Sequence, residues 1–439
     1  MRGRWPAIAG ALLGVATVAV YMIGSNRSFG YDAAATFANF VATPSLWDAF
    51  GVHNVLPTIP QKYVASNDHV LLSFLSHLVY SLTGARSEVV YRLLPAVAAG
   101  GVVGLTTAML SRRFGLVAGV CAGLFIAADP LFVDNSRDLR GYSLAAFGAV
   151  LGTVILAGTW TRRRLAAYAV VMGLAIAAQL FAGVVLLMHV AWIVTRGSRR
   201  QLIEPAPAWV AAAAIGVAAN AGIQGLLLVQ HGYPPALFYP TFPRDLALFL
   251  LGAPVLLPVG LWLATVLLGL FALRRERWVW AGLATVALVV AVLWLGLRPA
   301  YLYPRFFIFL VPACAYVMAG AIARWKILAP LVLTGAVVAG AGQLAGYTED
   351  PLALPRAAAA IERVHAAGGR ACVLHADEQV VAAYAKDFEV VTSAGQLAGC
   401  DAVVVVSWNV DLAIRDAAAR EFPCATALQA YYPAVVLER

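Results

Sequence analysis

Ten long apolar runs, separated by short arginine-rich breaks, leave this chain few folds to choose from. They fall at 6–24, 89–110, 115–133, 142–160, 165–195, 207–229, 246–272, 278–296, 305–322 and 327–345. Most approach the ~20 residues that an α-helix needs to cross a hydrocarbon core of about 30 Å. Of the 439 residues, 62% are apolar and only 12% are charged, about half the charged share of an ordinary soluble domain. A soluble enzyme is excluded, and the bulk of the chain is expected to be a polytopic α-helical membrane protein.

The net charge of +9 looks like a nucleic-acid signature until it is divided along the chain. Residues 1–346 carry 24 Lys+Arg against 10 Asp+Glu, whereas residues 347–439 carry 7 against 12. The basic excess therefore belongs to membrane topology, and no nucleic-acid partner is expected. Arg2 and Arg4, Arg112 and Arg113, Arg162 to Arg164, Arg196 with Arg199 and Arg200, Arg274 with Arg275 and Arg277, and Arg324 with Lys326 all sit in short breaks or at the N-terminus, as cytoplasmic connections do. If each cluster is cytoplasmic, an even number of spans separates each pair. The 31-residue stretch 165–195 must then be two short helices turning on the outer side near Gln179 to Gly183. The moderately apolar segment 70–82 must be an interfacial helix. The outcome is a multi-pass protein of the cytoplasmic membrane with about eleven spans, N-terminus in and C-terminus out. Its outer loops are 25–88, 134–142 and 298–305, with a fourth, 230–245, rich in Pro and aromatics. The first run reads as a signal anchor or a cleaved signal peptide; its length and the lack of a small-residue cleavage site favour the anchor.

After residue 346 the pattern changes to alternating strand and helix pieces, expected to form a small extracytoplasmic α/β domain over 347–439. Strands are expected at 371–375, 389–392 and 402–407, with strand-like pieces near Ala425 and Val435, and helices at 355–367, 378–386 and 410–420. No glycine fingerprint follows the first strand, so dinucleotide binding has no support. Of five cysteines, Cys121 and Cys314 lie in spans, and Cys400 with Cys424 is the candidate disulfide in the outer domain. No CxxC or His/Cys cluster argues for a metal site.

Few residues are left to carry chemistry. Asp32 follows the first span within Phe29-Gly30-Tyr31-Asp32. A carboxylate partly desolvated at the membrane surface suits removal of a proton from a hydroxyl, and the competing reading is a helix-capping or solvated loop aspartate. The second loop, Asp134 to Tyr142, holds Arg137 and Arg140 at the start of a span, where two guanidinium groups and a helix N-terminus can clamp a phosphate. Alternatively Arg137 or Arg140 pairs with Asp134 or Asp138. In the third loop Arg305 opens a span, and Tyr301 and Tyr303 are either interfacial belt residues or sugar contacts. Ser66-Asn67-Asp68-His69 heads the interfacial helix, where Asn67 or Asp68 can cap it and His69 can be an ordinary interfacial histidine. Within the spans ionisable residues are nearly absent. A proton- or ion-coupled transporter is expected to place paired ionisable groups near the midplane, so the weight moves to chemistry at the outer face.

Taken in order, these pieces resemble the integral-membrane glycosyltransferases of the GT-C fold, especially the family 39-like bacterial relatives of protein O-mannosyltransferases and of the lipid A aminoarabinose transferase. The matching features are Tyr31-Asp32, Asn67-Asp68-His69, Arg92-Leu93-Leu94-Pro95, Arg137-Asp138-Leu139-Arg140-Gly141-Tyr142, and Pro304-Arg305-Phe306. The resemblance implies a polyprenyl-phosphate sugar as donor and an acceptor hydroxyl, on a glycan, lipid or protein, that attacks with inversion. It implies Asp32 as the base, Arg137, Arg140, Tyr142 and Arg305 at the donor phosphate, and Tyr31, Asp68, His69, Tyr301 and Tyr303 positioning donor or acceptor. No cofactor beyond the lipid-linked donor is expected. His69 is followed by Val-Leu where many members have Pro-Pro, and Tyr31 is followed by one acidic residue rather than a pair, which leaves metal dependence unsupported. Two other classes stay open: a lipid-linked glycan flippase or exporter, and a non-catalytic scaffold presenting the α/β domain.

Overall fold

A computed structural model of the chain describes residues 4–51, 68–196, 203–222, 240–297, 302–345, 353–375, 378–406, 412–422, 424–428 and 434–438. Its contacts divide into two compact units. The first comprises Met1–Ile23, His69–Leu72 and Arg92–Ala345, and the second comprises Gly24–Asp68, Ser73–Tyr91 and Gly346–Arg439. Residues 24–68 and 73–91 thus group with the C-terminal residues, whereas the sequence reading attaches this loop to the helical module.

The first unit is helical. Four stretches, Glu88–Phe114, Arg277–Gly296, Pro304–Arg324 and Lys326–Leu344, are long and apolar enough to cross a membrane among the described residues. Leu116–Ala128 and Pro130–Ser136 form a further pair bent by 60°. Several others, such as Trp5–Tyr21, Tyr142–Leu156 and Leu256–Ala272, are apolar but shorter. The eleven-span count and the sides of the loops therefore stay expectations. The long 165–195 run does break in two: Arg162–Ala178 ends at Gln179, whose backbone is extended (φ −160°, ψ 119°), and Gly183–Arg196 follows a single 3-10 turn.

Small residues set how closely the helices approach. A Cβ on Gly10 would lie 2.4 Å from the Gly104 carbonyl oxygen, and one on Gly14 would lie 2.7 Å from that of Gly100. Trp5–Tyr21 therefore crosses Glu88–Phe114 through a G-x-x-x-G face on each helix, the arrangement that lets backbones meet inside a membrane. The buried His189 is satisfied within the unit. Its Nδ1 accepts from the Tyr168 hydroxyl at 2.8 Å, and its Nε2 donates to Thr153 Oγ1 at 2.9 Å, because the Thr153 hydroxyl already donates to the Ala149 carbonyl.

In the second unit the C-terminal residues form a five-stranded sheet of order β2-β1-β3-β5-β4, with β1 Ala371–Leu374, β2 Glu389–Val391, β3 Ala402–Val406, β4 Cys424–Leu428 and β5 Ala434–Glu438. β1 runs parallel to β2 and β3, and β5 runs antiparallel to β3 and β4. The central β3 is buried along its whole length, as expected of a strand covered on both faces. Helices Ala353–Ala366 and Leu412–Glu421 accompany the sheet, the latter packing Ala418 beside Leu397, Val403 and Val405. The disulfide joins Cys372 to Cys400, with Cα atoms 5.9 Å apart, which corrects the expected Cys400–Cys424 pairing. The reason is strand order. Cys372 lies on β1 directly beside β3, and Cys400 is only two residues before β3 begins, whereas Cys424 opens β4 with β5 lying between it and β3.

Candidate functional site

In the first unit the chemistry gathers around the turn that joins Pro130–Ser136 to Tyr142–Leu156. Asp129 starts the short helix, its Oδ1 accepting from the Phe132 amide at 3.0 Å ahead of a proline at the first helical position. The chain then turns through Arg137 to Gly141.

The two arginines of this turn part company. Arg137 is buried, and its Nε donates to the Tyr21 carbonyl at 3.0 Å while a second nitrogen donates to the carbonyl of Ile23. It thereby satisfies carbonyls that the end of the Trp5–Tyr21 helix leaves without intrahelical partners. Arg140 is equally buried, with its guanidinium carbon 5.6 Å from the centre of the Tyr142 ring. Asp138 forms an ion pair with Arg92, at 3.9 Å, and accepts from the Leu139 amide at 3.0 Å.

His69, Arg140, Tyr142 and Arg305 form one cluster. The His69 ring stands edge-on to Tyr142, with centroids 4.7 Å apart, and its Nδ1 lies 2.8 Å from the Ala178 carbonyl oxygen. A carbonyl only accepts, so Nδ1 carries the hydrogen and Nε2 of the neutral ring offers its lone pair. Burial drives the His69 pKa well below 6.5; Arg140 and, more weakly, Arg305 push the same way, against the pull of the Ala178 carbonyl. His69 is therefore neutral at pH 7. Gly141 makes the approach possible, since a Cβ there would sit 2.4 Å from the Ala178 oxygen and 3.0 Å from His69.

Phe306 extends the same wall, stacked on Tyr142 at 6.4 Å and on Phe181 at 5.2 Å, and the Arg305 guanidinium carbon lies 4.8 Å from the Tyr303 ring centre. The Tyr142 hydroxyl and the Gln179 side-chain oxygen are buried and have no hydrogen-bond partner among the described residues. Two guanidinium groups and a phenol whose hydroxyl has no partner among the described residues make a setting suited to a bound anion that accepts hydrogen bonds, with His69 bracing the phenol ring.

Asp32 belongs to the second unit. Gly30 caps the Tyr31–Thr36 helix, and Asp32 lies in its first turn, where a negative charge is favoured. Ala33 to Thr36 are buried, while Tyr31 and Asp32 are half-buried. The helix continues as a π-helical segment, Phe37–Val41, a form common near functional sites. Asp68 accepts from the Ser73 hydroxyl at 2.6 Å, which ties it to the Val70–Thr83 helix. Tyr301, Ser66, Asn67 and most of the 230–245 loop lie outside the described residues. Among the described residues no three His, Cys, Asp or Glu side chains gather as a candidate metal site.

Sequence reasoning missed Gly141 as the contact that admits His69, Arg92 as the partner of Asp138, and Gln179 as a polar group beside the cluster. The glycine between Arg140 and Tyr142 was the one local signal for the first. Nothing local marks the other two.

No protein-family model and no curated protein matches the chain. Solved structures do. ArnT from Cupriavidus metallidurans in the apo state aligns over 97% of both chains with a TM-score of 0.61 at 14% identity. The same protein bound to undecaprenyl phosphate aligns over 97% of both chains with a TM-score of 0.58 at 13% identity. An Archaeoglobus fulgidus oligosaccharyltransferase, in complex with Zn and sulfate, aligns over 91% of this chain and 68% of its own with a TM-score of 0.50 at 13% identity. At such identities the likeness is one of fold: the chain has the GT-C fold.

Proposed function

We propose that the chain is a membrane glycosyltransferase that moves a sugar from a polyprenyl-phosphate donor to an acceptor hydroxyl, with inversion, on the outer face of the cytoplasmic membrane. The observation that carries this reading is the His69, Arg140, Tyr142 and Arg305 cluster, in a fold shared with an ArnT solved with undecaprenyl phosphate bound.

In this reading Asp32 takes the proton of the acceptor hydroxyl as the oxygen forms a bond to the anomeric carbon. The bond from that carbon to the phosphate oxygen breaks, and its electrons leave with polyprenyl phosphate. The charge that grows on the phosphate is met by Arg140 and Arg305, with the Tyr142 hydroxyl donating to one of its oxygens and His69 positioning the Tyr142 ring against which it stands. A phosphate is already a good leaving group, so one carboxylate base suffices where glycoside hydrolysis needs two carboxyl groups. Tyr31, Asp68, Tyr301 and Tyr303 are assigned to positioning. Arg137, expected at the phosphate, is reassigned to holding the end of the Trp5–Tyr21 helix, because two of its nitrogens donate to backbone carbonyls there. No cofactor beyond the lipid-linked donor is assigned.

The test uses the full chain in native membranes and a panel of undecaprenyl-phosphate mannose, glucose, galactose and arabinose. Asp32→Asn is expected to bind undecaprenyl phosphate like wild type yet release none from any member that wild type turns over. Turnover retained by Asp32→Asn would sink the mechanism, and a flippase would move the lipid-linked sugar intact.

A further inference from the structure

The C-terminal sheet region holds the segment that leads into Asp32. Two hydrogen bonds converge on one phenol: the Tyr384 hydroxyl accepts from the Phe29 amide at 2.7 Å and donates to Glu88 Oε1 at 2.7 Å. Phe29 and Glu88 are both buried. A tyrosine hydroxyl has a donor and lone pairs on one atom, so it can bridge a backbone N–H to a side-chain carboxyl oxygen. A second tie lies one residue earlier, where the Leu354 amide donates to Ser28 Oγ at 3.4 Å. The Phe29 ring packs between Tyr384, at 6.2 Å, and Phe37, at 5.4 Å.

These contacts end where the helix of the proposed base begins. Gly30 follows Phe29 and accepts the first helical hydrogen bond, from the Ala34 amide at 2.8 Å. Asp32 is three residues beyond the anchored amide, with the Gly30 cap and Tyr31 between. A displacement of Phe29 moves the start of this helix and with it the carboxylate, and a misplacement of about 1 Å at a reacting group costs on the order of 100-fold in rate.

We infer that Tyr384 is a positioning residue for Asp32, holding the Phe29 backbone against Glu88 so that the Tyr31–Thr36 helix starts in one place. The C-terminal α/β region then serves the reaction by fixing the base. The inference rests on the reading of Asp32 as that base.

The experiment compares Tyr384→Phe, Glu88→Ala, Glu88→Gln and Asp32→Asn in the full chain. Tyr384→Phe keeps the ring and removes both hydrogen bonds. It is expected to lower kcat for undecaprenyl-phosphate sugars roughly 10- to 100-fold, with undecaprenyl phosphate affinity unchanged and amide hydrogen exchange faster at residues 30–36 but not in β1 and β3. Glu88→Ala should match it, Glu88→Gln, which keeps an acceptor oxygen, should recover most of the rate, and Tyr384→Phe with Glu88→Ala should be no worse than either alone. Wild-type kcat in Tyr384→Phe beside an inactive Asp32→Asn overturns the inference and leaves the proposed function standing. Loss of lipid affinity or of sheet protection together with rate overturns it in favour of a general structural role. Normal turnover in Asp32→Asn removes the proposed base instead, and the exchange at residues 30–36 still reports whether the anchor exists.

Discussion

Arg137 and Arg140 are chemically equal and separated by three positions, yet their surroundings give them different work. Arg140→Ala and Arg305→Ala each remove a charged donor from the cluster around His69. Each is expected to weaken binding of undecaprenyl phosphate by about 1.5–3 kcal/mol, read as a 10- to 100-fold rise in Kd. Arg137→Ala is expected to leave that Kd close to wild type and to lower the melting temperature, because the carbonyls of Tyr21 and Ile23 lose their donors. Affinity lost in Arg137→Ala and kept in Arg140→Ala would reverse the assignment. His69 makes a separate prediction about pH. Its folded pKa lies well below the 6.5 of the unfolded chain, chiefly through burial. Between those two values the unfolded chain binds a proton that the folded chain refuses, so this contribution to stability is present above about pH 6.5 and is lost as the pH falls below it. Thermal unfolding should shift to lower temperature from pH 7.5 to 5.5, and His69→Gln should shrink that shift. The sequence marked these residues as candidates because charge is scarce here, but the partner of each polar atom was beyond it, since Tyr21 and Ala178 lie more than a hundred residues from the side chains they receive.

Helices were the legible elements. Several apolar runs, such as 89–110 and 327–345, came out as helices with ends within a few residues of expectation, the run 246–272 broke into Phe242–Phe249 and Leu256–Ala272, and the expected break near Gln179 to Gly183 is present. Their packing was written in the glycines instead, at Gly10 and Gly14 on one helix and Gly100 and Gly104 on another. Gly10→Leu puts a side chain where a carbonyl oxygen already lies, and overpacking of this kind costs about 1–3 kcal/mol. The variant should melt earlier than wild type, whereas Gly340→Leu, where a Cβ meets nothing within 4 Å, should not. The strands were legible too, as short β-branched runs between polar turns, but their order was not. Period and composition constrain a strand by itself and say nothing of its neighbour.

At the scale of the whole chain, strand order decided the disulfide and long-range contact decided the company of the first outer loop. Peptide mapping without reductant should recover Cys372 joined to Cys400, and a Cys400–Cys424 peptide would contradict the strand order. Removing the bond by Cys372→Ser and Cys400→Ser should destabilise the second unit by about 2–4 kcal/mol. Composition and periodicity were enough to dictate a membrane-embedded helical chain, an α/β region near its end, and a short roster of residues able to do chemistry, because each follows from local hydropathy and charge. Which arginine joins His69 and Tyr142, which cysteines join, and that a tyrosine at 384 meets the backbone at 29 were decided only when the chain folded. Each of those is a contact between residues distant along the chain, and its energy exists only once both partners have been brought together and desolvated.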